Sequence, residues 1–436
     1  MNIELMPHQK RASDEIMANL DKGVVLLAGE TRSGKSLTAL TVCKEIGGRV
    51  LFVTKKKAIE SIEGDISLLW GDEPNNVTVI NFERLRGLNG PFSFVVVDES
   101  HNFVSSYPKE SAARREVKRL VGDAPVLVMS GTPSIEGSAK LYGQMTLGKS
   151  GPWSGYPTFY QWWFAPGHYK DNRPCGGYGI QDAVKSTGRR VNAWDNKPPT
   201  DYSQVDEERV LDEVEPYVVR MTREEAGYKV QDATIIPVEL KNTLISGLIR
   251  DLIKTKVCNE LGIVLDKGPA QVLQCCHMLA GGTYKREGEA EVLPDRYDPA
   301  YRARWIAKGM DKAKSYAILT AYIEERSFVA GHLRLMGHTV HDELDELKES
   351  GSGCFVGSLS SLSEGVDMSW LTGSQILYSL SWSGAKFSQI CDRQLNYKRE
   401  KPAKVAIPLL KGGVDKRVFD AVSSKCNFNA GFYGKL

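Results

Sequence analysis

The stretch "GVVLLA" at residues 23–28 runs directly into "GETRSGKS" at 29–36, and the order of these two pieces decides the fold. The first is an apolar run too continuous for a strand with one face in water, so it reads as a strand buried on both faces of a parallel sheet. The second has the spacing glycine, four residues, glycine, lysine, serine, with Gly29, Gly34, Lys35 and Ser36 in those places. The text that follows, "SLTALTVCKEIG", reads as a helix, which puts the loop between a strand and a helix. In that setting the backbone N–H groups of the loop and of the helix start surround a phosphate. Lys35 adds a cation at the outer phosphates, and the Ser36 hydroxyl ligates Mg²⁺. The competing reading is a Gly-Ser turn before a helix, and the strand on one side with the helix on the other counts against it.

Further apolar runs ending in turn or polar residues extend the pattern: "RVLFVT" at 49–54, "NVTVINF" at 76–82, "FSFVVVDES" at 92–100 and "APVLVMSGTP" at 124–133. With helical text between several of them, such as "ESAARREVKRLVG", they define an α/β lobe over residues 1–147. Residues 148–235 form an insertion and linker, rich in glycine, proline and aromatics at first ("GKSGPWSGYPTFYQWWFAPGHYK"). The stretch 205–280 is charged and reads as mostly helical. A second series, "RSFVAG" at 326–331, "GCFVGS" at 353–358, "SQILYSL" at 374–380 and "KVAIPLL" at 404–410, places a second α/β lobe, with its helical segment, in 236–436. The fold class expected is therefore α/β, with two lobes of parallel sheet.

The 436 residues exceed what one core serves, and 42% hydrophobic with 25% charged residues is the balance of a globular protein with no membrane-spanning run. "MNIELMPHQK" lacks the basic, apolar, small-residue order of a secretory signal, so a reducing, cytoplasmic location is expected. The eight irregularly spaced cysteines agree with that, reading as buried thiols. A net charge of +2 gives no global pull toward nucleic acid, so such a partner needs a local groove.

Downstream, "VVVDESH" delivers Asp98 and Glu99 to a strand end. Asp98 can hold Mg²⁺, and Glu99 can orient or deprotonate an attacking water. An isolated acidic pair at a strand end is usually a solvated loop, but beside a phosphate loop the functional reading is favoured.

In this order "GETRSGKS", "DESH" and "SGTP" resemble motifs I, II and III of superfamily-two helicases and translocases, most closely the Swi/Snf-like branch, and the compact build resembles small helicase-like proteins of bacterial viruses. The resemblance implies two RecA-like lobes that clamp ATP, with Mg²⁺, and a DNA partner, duplex or forked. It implies a role for each matching residue. Gln9 in "MPHQ" would read adenine, and Thr31 and Ser33, with Gly29, Gly34, Lys35 and Ser36, would line the nucleotide. Thr54 and Lys55 of "VTKKK" would touch the sugar-phosphate backbone. His101 would complete a DExH box, and Ser130, Gly131 and Thr132 would couple hydrolysis to nucleic acid. "SLSSLSEGVDMS" at 358–369 is similar to motif V, with Gly365 near the γ-phosphate and Asp367 near the ribose. "SQICDRQLNYKRE" at 388–400 is similar to motif VI, with Gln389 and Arg393 matching. The second arginine of that motif is Asn396 here, which leaves Arg393 and Arg399 as candidate arginine fingers. If "FSQICDRQLNYKRE" were one straight helix, the two would face different ways. Residues 331–353 hold no evident motif IV.

The expected activity is nucleic-acid-stimulated ATP hydrolysis driving movement along DNA or its opening, by a monomer. An RNA-directed remodeller, or a nucleotide-dependent switch that never translocates, fits the same motifs. In the insertion, Trp153, Tyr156, Tyr160, Trp162, Trp163, Phe164 and Tyr169 lie near Lys170, Arg173, Lys185, Arg189 and Arg190, a mixture suited to base stacking. A helix buried against a lobe is the preferred reading of "TFYQWWF"; Arg189 and Arg190 are the better candidates for phosphate contact. "CCH" at 275–277 and "HTVH" at 338–341 lack zinc-site spacing, and "HDELDELKES" reads as a solvated helical face.

Overall fold

The computed structural model describes residues 4–71, 73–107, 109–135, 137–165, 168, 205–230, 232–266, 268–286, 288–362 and 366–432. The chain divides into two compact units, Met1–Gly227 with Asn427–Leu436, and Tyr228–Cys426. Each is an α/β unit built on a six-stranded parallel sheet, as expected of RecA-like lobes.

In the first unit the strands are β1 (Val24–Gly29), β2 (Val50–Thr54), β3 (Val77–Asn81), β4 (Phe94–Val97), β5 (Val126–Ser130) and β6 (Val218–Met221), in the order β3-β2-β4-β5-β1-β6. The apolar continuity of β1, β2, β4 and β5 has a direct cause, because successive side chains point to opposite faces and both faces are covered. Val25 and Leu27 of β1, Phe52 of β2 and Val96 of β4 join Ala39, Leu40 and Val42 of the helix Lys35–Ile46 and Ile62, Ile66 and Trp70 of the helix Ile59–Trp70. Val24, Leu26 and Ala28, with Val53, Val95 and Val97, turn to the other face and meet Val117 and Leu120 of the helix Ala112–Val121.

The aromatic insertion belongs to that second face. Thr158 caps the short helix Phe159–Trp163, its hydroxyl accepting the Gln161 N–H, and Trp153, Trp162 and Trp163 are buried in the core with Tyr142 and Phe159. Burying such side chains is worth ~1.5–3 kcal/mol each, which explains the composition of "TFYQWWF" without a ligand. Tyr169, Lys170, Arg173, Lys185, Arg189 and Arg190 lie outside the described residues.

The second unit holds β7 (Thr234–Leu240), two small hairpins, β8–β9 (Val257–Cys258, Ile263–Val264) and β10–β11 (Thr283–Arg286, Glu289–Val292), then β12 (Ser315–Thr320), β13 (Val340–His341), β14 (Gly353–Ser358), β15 (Gln375–Leu377) and β16 (Lys404–Leu410). Its large sheet runs β13-β14-β12-β15-β16-β7. Leu319, Leu377 and Ile407 pack on one face with Phe387 and Ile390, while Ile318, Val356 and Ile376 pack on the other with Val329 and Leu333.

Two sequence expectations change here. "RSFVAG" is not a strand but the middle of the helix Ile323–Leu335; the strand of that region is the preceding "SYAILT". A short apolar run fits either state, and here the longer helical frame wins. The stretch 205–280 also contains β6 and β7, each the edge strand of a sheet. β7 carries Pro237 in mid-strand, which an edge strand tolerates because its free side needs no N–H.

Candidate nucleotide site

Parallel strands bring their carboxyl ends to one edge of a sheet, and that edge is where the candidate residues of the first unit collect. β5 separates β1, which leads into the phosphate loop, from β4, which leads into Asp98, and β2 ends at Thr54 beside β4. β5 itself ends at Ser130 and continues into Gly131 and Thr132. One edge thus presents the segments 29–36, 98–101 and 130–133.

The loop needs its glycines. A Cβ on Gly29 would collide with the Lys35 side chain, and one on Gly34 with the Gln9 amide; Gly34 also has φ 87°, a left-handed conformation that favours glycine. Arg32 in the same loop (φ 69°) and Glu99 (φ 47°) are left-handed without being glycine, a strain that persists where the surroundings fix it and that clusters at functional sites.

The Lys35 ammonium donates to Gly29 O at 2.7 Å and Glu30 O at 3.1 Å, and so lies on its own loop, over the cradle. Burial lowers its pKa; the Glu99, Asp98 and Glu30 carboxylates oppose that shift, and Arg223 adds to it. Ser36 stands in the first helical turn and Ser33 is buried. Thr31 Oγ1 lies beside Gly131. Gln9 Oε1 accepts the Met6 N–H at 2.9 Å at the start of the helix Pro7–Ala18.

Asp98 is the half-buried centre of the acidic side. Its Oδ2 accepts the Thr54 hydroxyl at 2.8 Å, and its N–H continues the strand to Val53 O. Burial raises the Asp98 carboxyl above the usual range, and Glu99 repulsion raises it further. The Thr54 hydrogen bond and Lys35 pull it down. Thr54 is wholly buried, so its hydroxyl is committed to Asp98. Lys55, the next residue, places its ammonium 5.6 Å from the Phe103 ring centroid.

His101 ties the acidic segment to the end of β5. Its Nδ1 is 2.8 Å from Ser130 Oγ and 3.5 Å from Glu99 Oε2, and its Nε2 is 3.3 Å from Thr132 Oγ1. Ser130 Oγ also accepts the Thr132 N–H at 2.9 Å. One imidazole ring thus lies against both Glu99 and the end of β5.

In the second unit, the helix Gly384–Cys391 stops short of the motif VI candidates, so one straight helix through 387–400 does not exist. Arg393 sits on the 3₁₀ turn Asp392–Gln394, and Leu395 is extended. Gln389 is buried in the helix. Arg393 O accepts the Met368 N–H at 3.1 Å, and Arg399 Nη2 donates to Ser369 O at 3.1 Å, which stitches the 366–370 and 392–399 segments together. Asp367 is exposed and accepts the N–H and hydroxyl of Ser369. Gly365 lies outside the described residues.

Four residues at the first-unit edge carry no motif signal. His8 Nε2 lies 2.9 Å from Ser33 O, Glu30 meets Arg223, and Gln144 Oε1 accepts the hydroxyl of buried Ser100. Glu30 and Arg223 are 193 positions apart, which no local pattern spans.

No family model and no curated protein matches the sequence. Among solved structures the chain is similar to the Sulfolobus solfataricus SWI2/SNF2 ATPase core in complex with dsDNA, at 12% identity over 100% of this chain and 94% of that chain, with a TM-score of 0.42. Among the described residues no helix is long and apolar enough to cross a membrane.

Proposed function

We propose that this chain is an ATP hydrolase of the superfamily-two type, stimulated by nucleic acid and acting on DNA as a translocase or helicase. The observation that carries the reading is the meeting, at one sheet edge, of a glycine cradle filled by Lys35 with the Thr54–Asp98 pair and the Glu99–His101–Ser130 linkage. The residues fit Mg²⁺-ATP: the cradle offers backbone N–H groups and one ammonium, and Ser36 and Asp98 supply hard oxygen ligands. Held there, Mg²⁺ would neutralise charge on the phosphates.

The chain's own groups then divide the work. Lys35 exchanges its neutral loop carbonyls for anionic phosphate oxygens, which accept from an ammonium more strongly. Thr54 fixes the Asp98 carboxylate. Glu99 is the base that orients and polarises the attacking water. His101 relays the position of Ser130, Gly131 and Thr132 to Glu99, which is where nucleic-acid contact would enter. In the second unit Arg393, which matches the motif VI pattern, is the proposed transition-state cation, with Arg399 as the alternative. Lys55, Arg189 and Arg190 are proposed for the sugar-phosphate backbone, and Gln9, Gly365, Asp367 and Gln389 for the nucleotide.

The test is ATP hydrolysis at one stated salt concentration without nucleic acid and with single-stranded DNA, duplex DNA, forked DNA and RNA. Duplex or forked DNA stimulates most if the reading is right. Best stimulation by RNA would make it an RNA-directed remodeller, and rates indifferent to all of them would leave a nucleotide-dependent switch.

A further inference from the structure

An anion cradle has no evident use for a carboxylate, yet Glu30 follows Gly29 directly and its side chain is only 7% exposed. Its charge opposes every phosphate that enters the loop, and burial strengthens that opposition by lowering the local dielectric. The fold sets Arg223 against it. Arg223 N–H donates to Glu30 Oε2 at 2.7 Å, and Arg223 Nη2 lies 3.7 Å from Glu30 Oε1, with the arginine side chain 6% exposed.

The backbone holds the two together. β6 pairs with β1 up to Gly29 and Met221, and the Glu30 N–H continues the ladder to Met221 O at 2.9 Å. The turn after β6 is anchored on the helix Pro7–Ala18: Thr222 N–H donates to Glu225 Oε2, while Arg11 Nη2 reaches Glu225 Oε1 at 2.8 Å and Arg220 O at 2.7 Å. From that same helix His8 meets Ser33 O. The loop is thus gripped on both sides, at Glu30 and at Ser33. Glu30 and Arg223 also act on the Lys35 ammonium with opposite signs.

We propose that Arg223 is a positioning residue of the phosphate loop, which cancels the Glu30 charge so that the cradle presents a net positive field to a polyphosphate. This rests on the nucleotide-binding reading above. An ion pair that merely holds β6 in place would stabilise the fold without regard to ligand. Charge compensation instead makes affinity depend on how many phosphates the ligand carries.

The experiment compares the full-length parent with Arg223→Gln, Arg223→Lys, Glu30→Gln and the Arg223→Gln/Glu30→Gln double variant. It measures dissociation constants for ATP, ADP and AMP, turnover at saturating ATP, and the thermal midpoint without nucleotide. Arg223→Gln should weaken ATP on the order of tenfold, ADP less and AMP least, with turnover changing less than affinity. Arg223→Lys should restore most of the loss, and the double variant should bind ATP better than Arg223→Gln. If Arg223→Gln does not fold, Glu30→Gln alone decides, since it should tighten ATP more than AMP. Unchanged ATP affinity, an equal loss for all three nucleotides, or a double variant no better than the single one overturns the proposal while the nucleotide site stands. A parent protein that binds no nucleotide overturns both.

Discussion

Replacing Thr54 by Val separates two roles for one residue. Valine keeps the β-branched shape of a fully buried side chain and exchanges the hydroxyl for a methyl group, so the strand packing of β2 survives. What is lost is the 2.8 Å hydrogen bond to Asp98 Oδ2. A hydrogen bond to a charged partner is worth about 1.5–3 kcal/mol. If that is spent on holding Asp98 in its working orientation, turnover falls roughly 10- to 100-fold at saturating ATP and DNA. The sign with pH follows from the same contact. The hydroxyl favours the ionised carboxylate and lowers the Asp98 pKa, so its removal raises that pKa and moves the acidic limb of the pH–rate profile to higher pH. Thr54→Ser should recover most of the rate. Steady-state ATPase over a pH series, with a thermal melt as the control for folding, reads all of this. Parent turnover and an unmoved acidic limb in Thr54→Val would show that the hydroxyl does not hold Asp98 for catalysis. A change confined to the DNA concentration for half-maximal stimulation would return Thr54 to the backbone-contact role.

Glu99→Gln should bind Mg²⁺-ATP at near-parent affinity and turn over roughly 10²-fold more slowly, because the amide keeps the shape and loses the base; loss of ATP binding in a folded variant would make Glu99 structural or metal-holding instead. His101→Ala should leave basal hydrolysis within about threefold of the parent and abolish most stimulation by DNA, a loss of coupling worth ~1–3 kcal/mol; retained stimulation would show that the ring at Ser130 and Thr132 carries no signal. Arg393→Ala should lose turnover on the order of 10³-fold with ATP affinity largely kept, while Arg399→Ala mainly loosens the segment around Ser369; the opposite pattern would exchange their roles.

The phosphate loop is legible in the sequence because each part is local: an apolar strand, a glycine-bounded turn and a helix within the 24 residues from Gly23 to Ile46. Asp98 and Glu99 are legible as the end of an apolar run. What lies beyond reach is pairing at a distance. Nothing near residue 223 announces a partner at 30, and nothing near Ser130 announces that His101 bonds it. The edge strands fail for a different reason: β6 is four residues long and β7 contains Pro237, so neither shows the uninterrupted apolar signature of the buried strands. "RSFVAG" errs the other way, apolar enough for a strand yet part of a 13-residue helix whose Val329 and Leu333 face the core. The aromatic run is legible only as to burial, since packing decides which face of the first sheet it covers.

The cradle at Gly29–Ser36 is proposed to turn ATP hydrolysis into a DNA-responsive activity. ATP turnover by the parent and by Lys35→Ala, each with and without duplex DNA at the same salt concentration, tests it most directly. DNA-stimulated hydrolysis is expected of the parent and none of a folded Lys35→Ala variant, whose cradle has lost its ammonium. Hydrolysis by Lys35→Ala at the parent rate, or a parent rate that ignores duplex DNA, would contradict it.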